Sequence, residues 1–216
     1  MKYKQLNKSN DGIYVGGDVP RGYRHEDGLH FDTNHPIHQL FMKLSKDILI
    51  AYPDAKKILD IGSGAGNLRY CLKELNPDLL VVTIDGNRES VNGPFIDKDR
   101  HITARTDVDY TIVDENNEVA KFDLITCYEH FEHIEDQYFD IFLKNMKKHA
   151  SKDAVLLASV ADYSIPVHPN IKSYSAWDYL LSHDYGMTRI NQNILTRENY
   201  ELRFRETYEL HYKINP

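Results

Sequence analysis

The amino-acid sequence predicts an α/β fold in which a mainly parallel sheet is covered by helices on both faces. Short β-rich apolar runs alternate along the chain with segments whose apolar residues recur at helical spacing. The β-rich runs are continuously apolar, which is typical of strands that are buried on both faces. Right-handed crossovers through the intervening helices would then order these strands into one sheet.

The predicted elements follow one another from Pro36 onward. Residues 1–35 are interrupted by glycine and proline and have no apolar period, so we expect an irregular N-terminal extension or lid, followed by a single domain over residues 36–216. Pro36 favours a helix start, and helical patterns also cover residues 68–75, 135–149 and the region of Trp177. Strands are predicted at residues 57–61, 79–85, 101–106, 122–127 and 154–160, with a late antiparallel edge strand over 203–212.

Composition restricts the partners and the compartment. The 216 residues are 41% hydrophobic, which suits one domain with a sizeable core. The polar start and the absence of a run long enough to cross a bilayer predict a cytoplasmic protein without a membrane partner. A formal net charge of −7 disfavours a nucleic-acid partner. Cys71 and Cys127 lie in apolar stretches and are expected to be buried, reduced thiols.

The segment that follows the first predicted strand has the composition of a ligand-binding loop. It reads Asp60-Ile61-Gly62-Ser63-Gly64-Ala65-Gly66, and glycines let a backbone turn sharply and approach a ligand closely. A dinucleotide-binding loop would carry a third glycine where Asn67 stands. The acid in front of the glycines suits a cationic ligand and would repel a pyrophosphate.

Acids also end the next two strands. Asp85 closes the second strand, where a carboxylate can accept hydrogen bonds from both hydroxyls of a ribose. Thr106-Asp107 follows the third strand and is placed to hold an adenine amino group. The three segments together predict a site for a cationic adenosine derivative at one edge of the sheet.

The motif ILDIGSGAGN, with Asp85 and the segment FDLITCYEHFEHI, resembles the class I S-adenosylmethionine-dependent methyltransferase superfamily over about residues 36–160. The resemblance implies a Rossmann-like, seven-stranded, mostly parallel sheet with helices on both faces, and S-adenosylmethionine as the methyl donor. It further implies that Asp60, Gly62 and Gly64 surround the methionine moiety. The cofactor-binding residues expected on this basis are Asp60, Gly62, Ser63, Gly64, Gly66, Asn67, Asp85, Gly86, Asn87, Asp107, Val108 and Tyr128.

An acid–histidine segment follows the fourth strand. If it is helical, Glu129, Glu132 and His133 share one face, because their spacing is i, i+3 and i+4. Carboxylates and imidazole together suit a divalent ion such as Mg²⁺, Mn²⁺ or Zn²⁺. His168, on the loop after the fifth strand, is expected to open onto the same edge and to be a fourth ligand.

The E-x-x-E-H spacing is similar to that of metal-assisted O-methyltransferases, such as the ubiquinone-biosynthesis and small-RNA 2′-O-methyltransferases. This implies that an ion holds the acceptor hydroxyl and lowers its pKa. Metal-free relatives carry similar segments, so a reaction without metal stays open. In that case His130 or His133 would be the general base, and Glu129 is the third candidate catalytic residue.

The function predicted from these features is O-methylation of a small-molecule acceptor. The alternatives are methylation of an RNA ribose 2′-hydroxyl and a non-catalytic, cofactor-binding regulatory protein. Tyr23, Arg24 and His25 are candidate lid residues near the acceptor. Trp177 and Tyr174 either line the acceptor pocket or anchor the last helix, and the second interpretation is favoured.

Overall fold

The fold is taken from a computed structural model of the 216-residue chain. The structure describes residues 4–5, 36–87, 90, 92–93, 95–114, 116–161, 164, 168–192, 194 and 207–215. Among the helices in these ranges, none combines the length and the apolar character that crossing a bilayer requires.

The described elements alternate as the sequence predicts. The helices are α1 (Pro36–Ala51), α2 (Asn67–Leu75), α3 (Asp136–His149) and α4 (Tyr174–Tyr179), and α4 continues into a π-helical turn at Leu180–Asp184. The strands are β1 (Lys4–Gln5), β2 (Lys57–Ile61), β3 (Leu80–Asp85), β4 (His101–Thr103), β5 (Ile112–Val113), β6 (Phe122–Tyr128), β7 (Ala150–Ala161), β8 (Thr188–Arg189) and β9 (Thr207–Lys213).

Seven of these strands form one sheet in the order β4-β3-β2-β6-β7-β9-β8. Strands β2, β3, β4, β6 and β7 are parallel, whereas β9 is antiparallel to both of its neighbours. This is the predicted seven-stranded, mostly parallel sheet. The strand order reverses beside β2, because the chain runs outward through β3 and β4 and then returns to β6. Ligands of open α/β sheets bind at such a switch point, beyond the carboxyl ends of the strands.

Helices cover both faces of the sheet and bury two apolar clusters. On one face, Leu44 and Ile48 of α1 and Leu72 of α2 pack against strand residues that include Leu124. On the other face, aromatic and aliphatic side chains of α3 pack against the alternate residues of the same strands. Burial of apolar area on both faces is the main favourable term for such a sheet.

Two predicted strands differ in detail from the observed ones. Strand β4 ends at Thr103, before the predicted end at residue 106, because the chain leaves the sheet to place Thr106 beside His130. The late strand is antiparallel as predicted, but the prediction that it forms the sheet edge is wrong. The short strand β8 pairs with it on its outer side and takes the edge position.

The N-terminal extension is described only at Lys4–Gln5. These residues form β1, which pairs antiparallel with β5 in a separate two-stranded sheet, so the extension is not irregular throughout. The predicted lid residues Tyr23, Arg24 and His25 lie outside the described residues. The division into an extension and a single domain therefore stays a prediction.

Candidate active site

The glycine loop between β2 and α2 lies at the switch point and adopts backbone conformations that suit glycine. Gly62 has φ 71° and Gly66 has φ 82°, in the left-handed region that disfavours residues with a side chain. A Cβ on Gly62 would lie 2.6 Å from Cγ of the His130 ring. One on Gly66 would lie 2.9 Å from the carbonyl oxygen of Phe95. The loop is therefore packed closely between the segment after β6 and the segment after β3.

Asp85, at the end of β3, is joined to this loop by backbone hydrogen bonds. Its Oδ2 accepts from the amide of Gly64 at 2.8 Å, and its Oδ1 accepts from the amide of Asn87 at 2.7 Å. The amide of Gly62 donates to the carbonyl of Ile84 at 2.9 Å, one residue before the acid. The carboxylate is thus held at a fixed position beside the glycine loop, where the ribose of an adenosine was predicted.

Asp60 is the buried acid of the site, with only 3% of its surface exposed. Burial raises its pKa to about 7, although a 2.7 Å hydrogen bond from Thr126 Oγ1 favours the ionised form and Asp85 nearby opposes it. A cationic ligand beside Asp60 would offset the cost of burying its charge. Ser63 Oγ and Asn67 Oδ1 are also buried, and neither has a hydrogen-bond partner among the described residues.

The loop after β4 carries the residues predicted to bind adenine. Arg105 holds Asp107 through two hydrogen bonds of 2.8 and 2.6 Å. Asn145 of α3 donates to the Val108 carbonyl at 2.7 Å and accepts from the Tyr110 amide at 3.3 Å. Helix α3 therefore fixes the backbone on both sides of residue 109 and sets the position of Asp107 and Val108.

His130 lies between the glycine loop and the loop after β4. Its ring lies against Gly62, and its Nε2 lies 2.8 Å from Thr106 Oγ1. Burial lowers the pKa of His130, although the carboxylates of Asp85 and Asp107 act in the opposite direction. Burial therefore favours the neutral imidazole, and the ring lies between the glycine loop and the loop after β4.

The segment after β6 does not form the predicted α-helical face. Glu129 adopts a left-handed backbone with φ 50°, and residues 131–133 form one 3-10 turn. The helical assumption that grouped Glu129 with Glu132 and His133 is wrong. Its physical reason is Ser159 of β7, whose backbone carbonyl and Oγ both accept from the Glu129 amide, at 3.1 and 3.0 Å.

Glu132, His133 and His168 nevertheless come together. One ligand atom from each of the three lies within 4.8 Å of the others. Glu132 is fully buried, and its Oε1 accepts from the amide of Ala161 at 3.2 Å. Its Oε2 has no hydrogen-bond partner among the described residues. Burial, with the charge of Glu129, raises the pKa of Glu132 to about 8.

Asn170 attaches the His168 loop to this segment. Its backbone amide donates to the Glu132 carbonyl at 3.1 Å, and its side-chain amide donates to the Ile134 carbonyl at 2.9 Å. The His133 and His168 rings then meet edge to face, with centroids 4.8 Å apart. Two loops that are distant in sequence are thus held together by one buried asparagine.

Comparison with known proteins identifies this architecture. The family model described as a methyltransferase domain matches residues 34–207. The chain belongs to the methyltransferase-domain family. Family and fold together confirm the prediction of a class I S-adenosylmethionine-dependent methyltransferase. A search of curated proteins finds no match.

Solved structures of other methyltransferases share the fold at low identity. The plantazolicin methyltransferase BpumL, in complex with S-adenosylhomocysteine, is 12% identical, with a TM-score of 0.60 and 92% of each chain covered. Magnesium protoporphyrin IX methyltransferase from Synechocystis PCC 6803, with bound S-adenosylmethionine, is 16% identical, with a TM-score of 0.58 and coverage of 83% of this chain and 80% of that one. StiE O-MT is 12% identical, with a TM-score of 0.51 and coverage of 79% and 73%.

The aromatic residues considered for the acceptor wall have structural roles in this methyltransferase. Trp177 is fully buried and packs against Phe131 and Phe139, with ring centroids 5.6 and 5.2 Å away. Tyr174 lies under the Arg189 guanidinium, 5.1 Å from its ring centroid. The interpretation of Trp177 as an anchor of the last helix is therefore the one that the packing supports.

Several polar residues of the site were not predicted from the sequence. Thr126 contacts Asp60, and Ser159 contacts Glu129. Asn145 holds the loop after β4, and Asn170 holds the His168 loop. All four are buried. Thr126 and Ser159 were detectable in principle, since a hydroxyl inside an otherwise apolar strand needs a hydrogen-bond partner.

Proposed function

We propose that this methyltransferase transfers the methyl group of S-adenosylmethionine to a hydroxyl oxygen of a small-molecule acceptor. The observation that carries the proposal is the fully buried Glu132, which lies beside His133 and His168 and whose Oε2 has no hydrogen-bond partner among the described residues. A positively charged ligand at this position would favour the ionised form of Glu132 and satisfy that oxygen. The fold is similar to StiE O-MT and to enzymes named for plantazolicin and magnesium protoporphyrin, and this similarity supports an acceptor of the small-molecule or peptide-like kind.

The donor set fits a divalent ion. One carboxylate and two imidazoles are offered within 4.8 Å, and two imidazole ligands favour Zn²⁺ over Mg²⁺, while the carboxylate also suits Mn²⁺. Such an ion would act as a Lewis acid that lowers the pKa of the acceptor hydroxyl. Glu132, His133 and His168 would hold the ion. Asn170 would hold the loop of His168 against the segment that carries Glu132 and His133.

The remaining residues of the site bind and orient the two substrates. Asp85 would accept the ribose hydroxyls, and Asp107 with Val108 would hold the adenine. Asp60 would lie close to the positive charge of the methionine moiety and so favour its binding. These contacts place the methyl carbon for in-line attack, and correct placement supplies much of the rate in such reactions.

Methyl transfer moves the electron pair of the carbon–sulfur bond and the proton of the acceptor hydroxyl. S-adenosylmethionine, when bound, would supply the methyl group: as the acceptor oxygen bonds to the methyl carbon, the electron pair of the carbon–sulfur bond would return to sulfur and S-adenosylhomocysteine would leave. The hydroxyl proton passes to Glu129, whose carboxylate Ser159 holds at 2.7 Å. In a reaction without an ion, His133 would be the base, with His130 keeping its contact with Thr106.

Methyl-labelled S-adenosylmethionine tests the proposal. Wild-type and Asp85→Asn proteins are incubated with catechol, with simple sugars and with total RNA, each with Mn²⁺ or after exhaustive chelation. We expect label in the small-molecule fraction, identified as an O-methyl ether by mass spectrometry, and none with the Asp85→Asn control. Label in RNA alone would contradict the small-molecule acceptor. Full activity after chelation, with no bound metal detected, would contradict the ion.

A further inference from the structure

Strand β7 contacts both glutamates of the E-x-x-E-H segment, at positions two residues apart. Ser159 Oγ donates to Glu129 Oε1 at 2.7 Å. The backbone amide of Ala161 donates to Glu132 Oε1 at 3.2 Å. The two carboxylates are therefore bound to different points of one strand.

The backbone of Glu129 is held in a conformation that a glutamate rarely adopts. Its φ of 50° is in the left-handed region, and residues with a side chain stay there only when surrounding contacts require it. Ser159 supplies those contacts, since its carbonyl and its Oγ both accept from the Glu129 amide. One buried serine thus fixes both the backbone and the side chain of Glu129.

The group of possible ion ligands does not include Glu129. Among the described residues, the cluster of ligand atoms within 4.8 Å consists of Glu132, His133 and His168. A helical segment would have placed Glu129 on the same face as Glu132 and His133. The left-handed turn at Glu129 breaks that relation and directs its carboxylate to Ser159.

We propose that Ser159 is a positioning residue that separates the two glutamates, so that three side chains, Glu132, His133 and His168, bind the ion and Glu129 does not. This inference rests on the ion site of the proposed function. Three protein ligands leave coordination positions for the acceptor, as catalytic ion sites require. Glu129 then keeps its contact with Ser159 and is the proposed acceptor of the hydroxyl proton.

Titration of the purified full-length protein with Mn²⁺, followed by electron paramagnetic resonance, tests the separation. Glu132→Gln is expected to weaken Mn²⁺ binding by at least about 100-fold, because loss of a charged ligand exceeds the 10–100-fold effect of residues that only support ligands. Glu129→Gln is the matched variant, and its Mn²⁺ affinity is expected to stay within about threefold of wild type, below the effect of a supporting residue. Calorimetry with S-adenosylhomocysteine checks that each variant is folded.

Ser159→Ala tests the serine itself, with Ser159→Cys as a second variant that better preserves the volume. Release of Glu129 would let its carboxylate approach the ion beside the three ligands, so the Mn²⁺ affinity is expected to rise by more than about threefold and the resonance spectrum to change, because ligand charge count sets the affinity of such sites. An unchanged affinity and spectrum would overturn the role of Ser159. Equal losses of Mn²⁺ affinity in Glu129→Gln and Glu132→Gln would overturn the different roles of the two glutamates and would leave the ion site itself supported. A wild-type protein that binds no Mn²⁺ would overturn both the ion site and this inference.

Discussion

The proposed cofactor half and the proposed acceptor half of the site are built in different ways. The cofactor half consists mainly of backbone groups and acids at the ends of three neighbouring strands, and Asp85 is bonded to amides of Gly64 and Asn87. The acceptor half consists of side chains on two loops. Asn170 and Ser159 fix these loops through hydrogen bonds between residues that are far apart in sequence. The first half therefore depends on local backbone conformation, and the second depends on long-range hydrogen bonds.

The largest expected effect is in the cofactor half, at Gly62. A Gly62→Ala substitution places a Cβ 2.6 Å from the His130 ring on a backbone with φ 71°. Overpacking and left-handed strain together should weaken S-adenosylhomocysteine binding by about 100-fold, measured by calorimetry. Gly64→Ala is the control, because φ is also positive there but no atom of the described residues lies within 4 Å of the new Cβ. Equal losses in both variants would show that the contact with His130 is unimportant.

The next effect is a pH dependence of cofactor binding. The pKa of Asp60 in the free protein is raised to about 7, so its carboxyl is neutral below that pH. Cation binding favours the ionised form, so affinity for S-adenosylmethionine should fall by up to about tenfold per pH unit below pH 7 and level off above it. Calorimetry between pH 5.5 and 8 measures this profile.

Two variants test whether Asp60 causes this pH dependence. Thr126→Val removes a hydrogen bond that favours the ionised carboxylate, so the profile should move to higher pH. Asp60→Asn should bind more weakly and lose the dependence around pH 7. A pH-independent wild-type affinity would exclude Asp60 as the group that meets the positive charge.

A change at Asn170 is expected to weaken ion binding in the acceptor half and to leave binding in the cofactor half unchanged. Asn170→Ala removes the hydrogen bond to the Ile134 carbonyl and loosens the loop that carries His168. Mn²⁺ affinity is expected to fall about tenfold, as for other residues that support ligands, while S-adenosylhomocysteine affinity stays unchanged. Ser173→Ala, which removes the helix cap of α4, is the control for a purely structural loss. A parallel loss of both affinities would contradict two separate halves.

The smallest expected effect concerns the segment that packs on the glycine loop. Arg69 donates to the Phe95 carbonyl at 2.8 Å and to Asp97 at 3.2 Å, whereas Arg100 contacts Asp97 at 3.6 Å. Arg69→Gln should weaken S-adenosylhomocysteine binding about threefold, the equivalent of roughly one hydrogen bond. Arg100→Gln removes the same charge without that carbonyl contact and should have no effect.

The contrast between the halves also explains what the sequence could predict. Alternating patterns predicted the sheet and its helices, because these features are local, and the structure places Asp60 and Asp85 beside the glycine loop, whereas their role in cofactor binding stays a prediction. The conformation of Glu129 was not predictable, since it depends on Ser159, thirty positions later in the chain. Grouping His168 with His133 was predictable only from the rule that loops at the carboxyl ends of parallel strands meet.

Calorimetric titration with S-adenosylhomocysteine tests the central claim most directly. The wild-type protein should bind one equivalent, and Asp85→Asn should bind far more weakly, because the carboxylate that accepts from the Gly64 and Asn87 amides is the proposed acceptor of the ribose hydroxyls. Thermal unfolding checks that the variant keeps its fold. Absence of binding to the folded wild-type protein, or equal binding by Asp85→Asn, would contradict the account.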